Sequence, residues 1–220
     1  VAFLVAACDH RHSASDDNLH YERFQDGTVK CIEDEIPFDV PEGWEWCRLS
    51  TVLELFSGQD LEPTRYNDKE NGIPHITGAS NLDSGKVIVN RWTDSPTTHA
   101  RAGDLLLTCK GSGVGKMAFS TLKDAHIARQ IMALRCNNGL TQDYLDIVVS
   151  AFLNEITYQA NGIIPGIRRE VILNTVIPLP PYKEQLRIAE IVSYARANAT
   201  QIESSMDMLS KAIEQIRAHI

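Results

Sequence analysis

The sequence predicts an α+β protein, in which a β-rich globular domain is followed by a long C-terminal coiled-coil helix. Three observations support this fold class. Residues 73–136 contain short β-prone segments separated by Gly, Asn, Asp and Pro. Residues 141–158 carry apolar side chains at helical spacing. From Ile188 onward the apolar residues follow a heptad repeat.

Composition restricts the class of protein before any motif is considered. The 220 residues (24.5 kDa) suffice for one compact domain with an appendage. A hydrophobic fraction of 43% and a charged fraction of 23% exclude a mainly disordered chain, and no apolar run is long enough to cross a bilayer. The five cysteines are odd in number, widely spaced and without a CxxC pair. They predict neither a disulfide framework nor a zinc site, and they fit a reducing, cytoplasmic setting.

The first 43 residues divide into two segments. Residues 1–18 form an irregular N-terminal segment whose apolar start resembles the tail of a signal peptide but lacks a basic region and sufficient apolar length. A truncated or irregular start is the simpler interpretation, and we assign this segment no chemistry. Residues 19–43 are predicted to form an extended acidic arm, because Pro37 and Pro41 confine such a segment to a sheet edge or a surface path.

The globular domain spans residues 44–182 and begins with two tryptophans. Trp44 and Trp46 are predicted to anchor the core, and a platform for stacking nucleic-acid bases is the alternative. Strands are predicted in the segments IPHIT, KVIVN, DLLLTCKG, KMAFS and IARQIMALRC. Thr141 is predicted to cap a helix over 141–158, which is followed by the loop NGIIPGIRRE and the strand TVIPL.

The C-terminal segment, residues 183–220, is predicted to be one helix that packs against another helix. Apolar residues from Ile188 to Ile220 alternate in steps of four and three, a period of 3.5 residues that is typical of a coiled coil. At 1.5 Å per residue the helix would be about 50 Å long, which is more than the globular domain can cover. A helix lying on its own domain would show a wider apolar stripe. The predicted interface positions are Ile188, Val192, Ala195, Ala199, Ile202, Met206, Leu209, Ile213 and Ile216.

Charge is distributed unevenly along the chain. Residues 1–62 carry four basic and fourteen acidic side chains, residues 63–182 carry twelve basic and ten acidic, and residues 183–220 carry five of each. The excess of basic residues is greatest over 101–135, with six basic against two acidic side chains. This pattern permits one basic face on an acidic protein, as local contact with nucleic acid requires, although ordinary solvated charge is the alternative.

The glycine-rich stretch KGSGVGKM resembles a nucleotide-binding P-loop but departs from it at two positions. Lys110 stands where that motif needs Gly, and Met117 stands where it needs the Ser or Thr that binds Mg²⁺. Nucleotide hydrolysis is therefore not predicted. The glycines instead predict a tight hairpin loop, whose flanking Lys110 and Lys116 can approach a phosphate backbone. The loop that ends in Arg168 and Arg169 is a second basic segment, for which a plain surface connection is an equal alternative.

Three segments, PEGWEWCRL, GDLLLTCKG and PLPPYKEQLRI, occur in this order, with FSGQ and GIPHITGASNLDSGKV between the first two. Together they resemble one target-recognition half of the DNA-specificity subunit of type I restriction-modification systems, over about residue 19 to the C-terminus. The resemblance implies a target-recognition domain over 44–182 and a conserved spacer helix over 183–220. A full subunit has two such units with antiparallel spacer helices. The single unit in this chain implies a half-subunit, a truncated product or a fragment.

The resemblance also implies the partners. They are double-stranded DNA, modification (methyltransferase) subunits and, through the complex, a restriction subunit. Methylation with S-adenosylmethionine and cleavage with ATP belong to those partners, so we expect no cofactor, catalytic residue or metal site in this chain. Without a second unit, we expect an antiparallel homodimer through the C-terminal helix. The alternatives are a helical dimerisation or assembly-modulating protein without DNA binding, and a small enzyme that uses the glycine-rich loop.

Eight residues are candidate DNA contacts that we expect to lie on one face. Lys110, Ser112, Lys116, Arg129 and Arg168 are expected mainly to grip phosphates, with Thr77 nearby, while the amides of Asn81 and Gln130 are candidates for adenine edges. The eight residues are Thr77, Asn81, Lys110, Ser112, Lys116, Arg129, Gln130 and Arg168.

Overall fold

A computed structural model describes residues 19–23, 26–137, 139–159 and 166–217, except for the side chains of 156–159 and 213–217. The N-terminal segment 1–18 lies outside the described residues. In chain order, the strands are β1 (Tyr21–Arg23), β2 (Val29–Cys31), β3 (Glu45–Arg48), β4 (Leu53–Ser57), β5 (Ile73–Ile76), β6 (Leu82–Asp83), β7 (Lys86–Val87), β8 (Trp92–Thr93), β9 (His99–Ala100), β10 (Leu105–Thr108), β11 (Met117–Phe119), β12 (Ala125–Ile127), β13 (Ile131–Cys136) and β14 (Val176–Leu179). The helices are α1 (Leu49–Val52), α2 (Gln142–Gln159), α3 (Arg169–Asn174) and α4 (Tyr182–Arg217).

A four-stranded antiparallel sheet with the order β11-β10-β13-β4 forms the centre of the domain. Strand β10 is buried on both faces. Leu105 and Leu107 pack in one cluster with Tyr144 and Leu145 of α2, while Leu106 points into a second cluster. Burial on both faces explains why this strand is a continuous run of leucines rather than an alternation of apolar and polar residues.

A second four-stranded sheet has the order β8-β5-β12-β9 and is mixed, since β12 pairs parallel with β5 and antiparallel with β9. Its residues Ile76 and Ile127 join Leu106 and Ala133 of the central sheet in the second apolar cluster. The β-rich α+β fold class is confirmed by this arrangement. The remaining strands form the antiparallel pairs β3–β14, β6–β7 and β1–β2.

The acidic arm predicted over 19–43 is more structured than expected. Strands β1 and β2 form an antiparallel hairpin, and Ile32, which follows it, is buried. Arg48 on β3 attaches this segment to the domain, because its guanidinium donates to Glu22 at 2.9 Å and to Glu35 at 2.9 Å. The hydrogen bonds from Arg48 and Lys30 lower the pKa of Glu35 to about 2. Within the predicted extended arm, residues 21–23 and 29–31 thus pair with each other as strands.

Several other elements differ from the predictions in detail. Strand β4 was not predicted, and α3 begins inside the predicted loop NGIIPGIRRE, of which residues 161–165 lie outside the described residues. The segment IARQIMALRC forms two strands, because the amide of Ile131 donates to Ala128 O at 2.8 Å and turns the chain from one sheet to the other. Trp46 is 2% exposed and anchors the core as predicted, whereas Trp44 is half-buried and donates to Glu184.

The long helix α4 starts against the domain and then leaves it. Helix α2 begins as predicted, with Tyr144 N–H donating to Thr141 Oγ1 at 3.2 Å. At the start of α4, Gln185 is fully buried, Ile188 packs against the core, and Arg196 pairs with Asp146 of α2. Every side chain described from residue 193 to residue 212 is exposed. The distal half of α4 therefore projects without cover from the described part of the chain.

Candidate nucleic-acid interface

The loop between β10 and β11 is a tight hairpin connection. Gly115 N–H donates to Thr108 O at 2.9 Å, and Thr108 N–H donates to Lys116 O at 2.9 Å. Gly111 and Gly115 have φ angles of 90° and 92°, a backbone conformation that favours glycine. The predicted hairpin is confirmed, and Lys110 and Lys116 flank it with exposed side chains.

Backbone pairing holds two further segments beside this loop. Cys109 O accepts a hydrogen bond from Ile167 N–H at 2.9 Å, and Cys109 N–H donates to Gln130 O at 2.8 Å. Burial raises the pKa of the Cys109 thiol, which is consistent with a structural rather than a reactive cysteine. The segments enclose a cleft of about 310 Å³. Four basic residues line it: Lys110, Arg129, Arg168 and Arg169.

The basic residues of this cleft differ in how far their charge is already compensated. Arg129 forms an ion pair with Asp60, with 2.8 Å between Nε and Oδ2, and Arg169 donates to the carbonyl of Leu55. Within the described residues, neither Lys110 nor Arg168 forms an ion pair. A carbonyl is neutral, so Arg169 keeps its charge, and together with Lys110 and Arg168 it provides the uncompensated positive charge of the cleft, which Glu170 at the cleft wall reduces.

One basic residue of the 101–135 segment, Arg135, pairs with a buried carboxylate instead of lining the cleft. The guanidinium of Arg135 donates to both carboxylate oxygens of the buried Asp104, at 2.8 and 2.7 Å, and lies 4.4 Å from the ring centre of Phe56. These hydrogen bonds raise the pKa of Arg135. This pair removes one basic and one acidic residue from the count, so the net basic excess of the segment is unchanged.

Asn81 does not have the role that the sequence suggested. Its side chain is fully buried, and its Oδ1 accepts hydrogen bonds from Thr77 N–H at 3.0 Å and from the Thr77 hydroxyl at 2.9 Å. Its Nδ2 donates to Ile88 O at 2.7 Å and to Asn90 Oδ1 at 3.1 Å. Because these contacts use the whole amide, the interpretation of Asn81 as a reader of adenine edges is corrected: it braces the turn over residues 77–81.

The braced turn lies directly against the glycine loop. A Cβ on Gly113 would lie 2.2 Å from Ala79 Cβ, so only glycine permits this approach. The exposed Gln130 lies over Gly78, where a Cβ would come within 2.5 Å of Gln130 Oε1. The exposed Ser112 belongs to the same loop. These contacts join the turn over residues 77–81 to the glycine loop and to Gln130, and DNA contact by the predicted residues other than Asn81 stays a prediction.

Arg169 was missing from the eight predicted residues although it lines the same cleft. Its neighbour Arg168 was included, so the Arg-Arg pair was the available signal. Sequence spacing gave no sign that Arg169 would turn back towards strand β4 and donate to Leu55 O.

The predicted helix interface is partly covered by the domain. Ile188 packs against the core and Val192 is half-buried, whereas the following positions as far as Leu209 are exposed. These exposed positions are Ala195, Ala199, Ile202, Met206 and Leu209. The side chains of Ile213 and Ile216 lie outside the described residues.

The described part of the chain also limits other kinds of site. Within it, no cluster of three or more His, Cys, Asp and Glu side chains has the geometry to hold a metal ion. None of the described helices combines the length and apolar character needed to cross a membrane.

Comparison with known proteins gives a consistent result. Residues 41–206 match the family model described as "Type I restriction modification DNA specificity domain". The chain is 25% identical over 215 residues to the EcoEI specificity subunit of Escherichia coli, a match that covers 86% of this chain and 34% of that protein. It is 26% identical over 176 residues to the MjaVIII specificity subunit of Methanocaldococcus jannaschii, covering 79% and 40%.

Among solved structures, the HsdS subunit from Thermoanaerobacter tengcongensis superimposes with a TM-score of 0.70 at 27% identity, covering 77% of this chain and 41% of that one. The S subunit from M. genitalium, at 13% identity and a TM-score of 0.53, shares the fold. The chain thus spans about a third to two fifths of the length of the EcoEI and MjaVIII subunits.

Proposed function

The chain belongs to the type I restriction modification DNA specificity domain family, and from this premise we propose that it reads one half of a bipartite DNA site for a type I restriction-modification complex. The relatives are named specificity subunits, so the role is recognition and not catalysis. In this proposal residues 44–182 act as the target-recognition domain and residues 183–220 as the spacer helix. S-adenosylmethionine and ATP would be used by partner subunits.

The cleft lined by Lys110, Arg129, Arg168 and Arg169 is the observation that carries the DNA-binding role. A protein with a net charge of −8 has little general attraction for DNA, so contact with phosphates depends on a local concentration of cations. The glycine loop at the rim of the cleft exposes backbone and two lysines where a phosphate chain can approach closely.

The salt dependence of DNA binding tests this role. Fluorescence anisotropy with a labelled duplex would measure affinity at a series of salt concentrations. In a plot of log affinity against log salt concentration, the magnitude of the slope should fall by about two in the double variant K110A/R168A, because two phosphate contacts are removed. The variant K86A/K123A removes the same charge from exposed lysines outside the cleft and should change the slope much less. Equal losses in the two double variants would refute the cleft as the DNA-binding site.

The spacer helix supports a second part of the proposal, which concerns assembly. Ile202, Met206 and Leu209 are each more than 60% exposed on one side of α4, and a row of this kind on an isolated helix favours association with another helix. In the complete complex this row would pack against a second spacer helix and beside methyltransferase subunits. In their absence, a second copy of the chain is the expected partner. A chain that dimerises but binds no DNA would favour the alternative, an assembly-modulating protein.

A further inference from the structure

The proposed interface contains polar side chains whose hydrogen-bonding groups remain available. Ser80, Ser112 and Gln130 are exposed, and none of their side chains hydrogen-bonds to another described residue. Their neighbours Thr77 and Asn81 are instead occupied with each other and with the backbone. The polar side chains of this small region therefore fall into two sets. Ser80, Ser112 and Gln130 can hydrogen-bond to a ligand, whereas Thr77 and Asn81 hold the local structure together.

The turn that carries Ser80, and that Gln130 approaches at Gly78, is braced by a buried side chain. The buried amide of Asn81 fixes the turn through Thr77 and Gly78 on one side and through Ile88 and Asn90 on the other. A recognition group gains selectivity when its support does not have to reorganise on binding, because less ordering free energy is spent in the complex. A rigid support of this kind suits a side chain that must distinguish one base from another.

The Gln130 side chain, which belongs to the turn between β12 and β13, lies close to two glycines of this region. A Cβ on Gly78 would come within 2.5 Å of its Oε1, and a Cβ on Gly111 would lie 3.5 Å from the same oxygen. On the adjoining side, Gly113 allows Ala79 to pack against the loop. The carboxamide oxygen thus lies close to Gly78 and near Gly111, and the side chain has no hydrogen bond to a described residue.

We infer that Gln130 is the principal base-reading residue of this interface, with Ser80 and Ser112 as flanking contacts, and that the cationic cleft supplies the sequence-independent part of the affinity. The inference rests on the proposed DNA-binding function and assigns the specificity within it. A carboxamide presents a donor and an acceptor side by side, which matches N6 and N7 of adenine in the major groove. The lysines and arginines of the cleft instead match phosphate oxygens.

Selection from a randomised duplex library tests this assignment with the full chain at micromolar concentration and low ionic strength. The wild-type chain should enrich a short motif. The variant Gln130→Ala should lose about 5- to 100-fold of the preference at one base pair, while its affinity for a scrambled duplex stays within about twofold. Gln201→Ala, which truncates an exposed glutamine on α4, is the matched control and should enrich the wild-type motif.

Gly78→Ala provides a second variant that leaves Gln130 in the sequence. The φ of Gly78 is 172°, an extended conformation that alanine adopts, so the backbone need not change. The added Cβ would come within 2.5 Å of Gln130 Oε1 and must displace the amide. The preference should therefore weaken at the base pair that Gln130→Ala affects, and affinity for the scrambled duplex should again be retained.

The outcomes separate the inference from the function on which it rests. If the wild-type chain enriches no motif, the DNA-reading function fails and this inference fails with it. If the wild type enriches a motif and Gln130→Ala enriches the same motif with undiminished preference, the function stands and the assignment to Gln130 is wrong. Loss of affinity for the scrambled duplex in Gln130→Ala would also contradict it, because that result belongs to a phosphate contact.

Discussion

The side-chain amide of Gln185 caps helix α2 from the start of helix α4: its Oε1 accepts the backbone N–H of Thr141 at 2.9 Å. Its Nε2 donates to Gly139 O at 2.6 Å and to Pro180 O at 3.0 Å. One buried side chain thereby satisfies three backbone groups where the domain and the long helix meet. The direction in which α4 leaves the domain depends on this junction.

Replacing Gln185 by Ala should lower the free energy of unfolding by about 2–4 kcal/mol, because buried backbone groups lose their hydrogen-bond partners. Denaturant titration would measure the change. The control Gln201→Ala, on the exposed part of α4, should stay within about 0.5 kcal/mol of wild type. Equal small effects of both substitutions would show that water replaces the Gln185 amide without cost.

Lys116 provides a prediction about the glycine loop that is separate from the cleft. Lys116→Ala should weaken binding to every duplex sequence and reduce the salt slope by about one, since one phosphate contact is lost. Anisotropy titrations over a range of salt concentrations would measure this, with the exposed Lys86→Ala as control. An unchanged salt slope together with a lower affinity would exclude a phosphate contact by Lys116.

The buried pair His75 and His126 predicts an acid-sensitive stability. Their rings stack with centroids 4.8 Å apart, and burial together with the neighbouring His126 lowers the pKa of His75 to about 4. The pKa of His126 is also lowered, mainly by burial, while Asp60 acts in the opposite direction on His75. An unfolded histidine titrates near ~6.5, so between pH ~6.5 and 4 the unfolded chain binds more protons and stability falls as the pH falls.

His75→Phe keeps a ring in the stack and removes this titration. In this interval, the dependence of unfolding free energy on pH should become shallower by up to about 1.4 kcal/mol per pH unit. Above pH 7 the wild-type and variant curves should run parallel, because both histidines are then neutral. Denaturant titrations at a series of pH values would measure both regions, and an unchanged slope below pH 6.5 would exclude His75 as a source of acid sensitivity.

Local signals in the sequence predicted much of the fold. Thr141 caps α2, Gly111 and Gly115 turn the hairpin, and the heptad repeat predicted the extent of α4, because each depends on residues within a few positions. The β1–β2 hairpin was missed because the acidic and proline-rich composition of the segment masked it. Its attachment through Arg48 to Glu22 joins residues 26 positions apart, which no local pattern reveals.

In the candidate site, too, the sequence predicted the types of residue but not the partners with which they interact. The sequence identified Lys110, Arg129 and Arg168 by their charge and the adjacent glycines by their flexibility. It did not reveal that Asp60, 69 positions before Arg129, would compensate that charge. Nor could it show that Asn81 would be buried, because its role depends on where Ile88 and Asn90 place their oxygens after the β6–β7 hairpin. Tertiary pairing decides which polar groups remain available.

The uncovered face of α4 leads to the last prediction, which concerns pairing of two chains. Ala195 and Ala199 are small and lie towards the domain, whereas Met206 and Leu209 are bulky and lie towards the far end. Antiparallel pairing sets the small end of one helix against the bulky end of the other and so evens the spacing along the seam. Parallel pairing would leave a narrow end and a wide end, and it would place both domains together. Antiparallel helices hold the domains roughly 50 Å apart, more than one DNA turn of about 34 Å.

The double substitution Ile202→Glu and Leu209→Glu should therefore convert a dimer into a monomer in sedimentation experiments at micromolar concentration. The dissociation constant should rise by more than about 100-fold, because each buried Ile or Leu contributes about 1.5–3 kcal/mol and charges would face each other across the seam. Ala197→Glu with Ser204→Glu adds the same charge on the opposite side of the heptad and should leave the dimer intact. Circular dichroism should show a folded domain in both double variants, since these side chains are exposed and make no contact with its core. A wild-type chain that sediments as a monomer at tens of micromolar would refute pairing through α4, because the exposed row would then be stable in water without a partner.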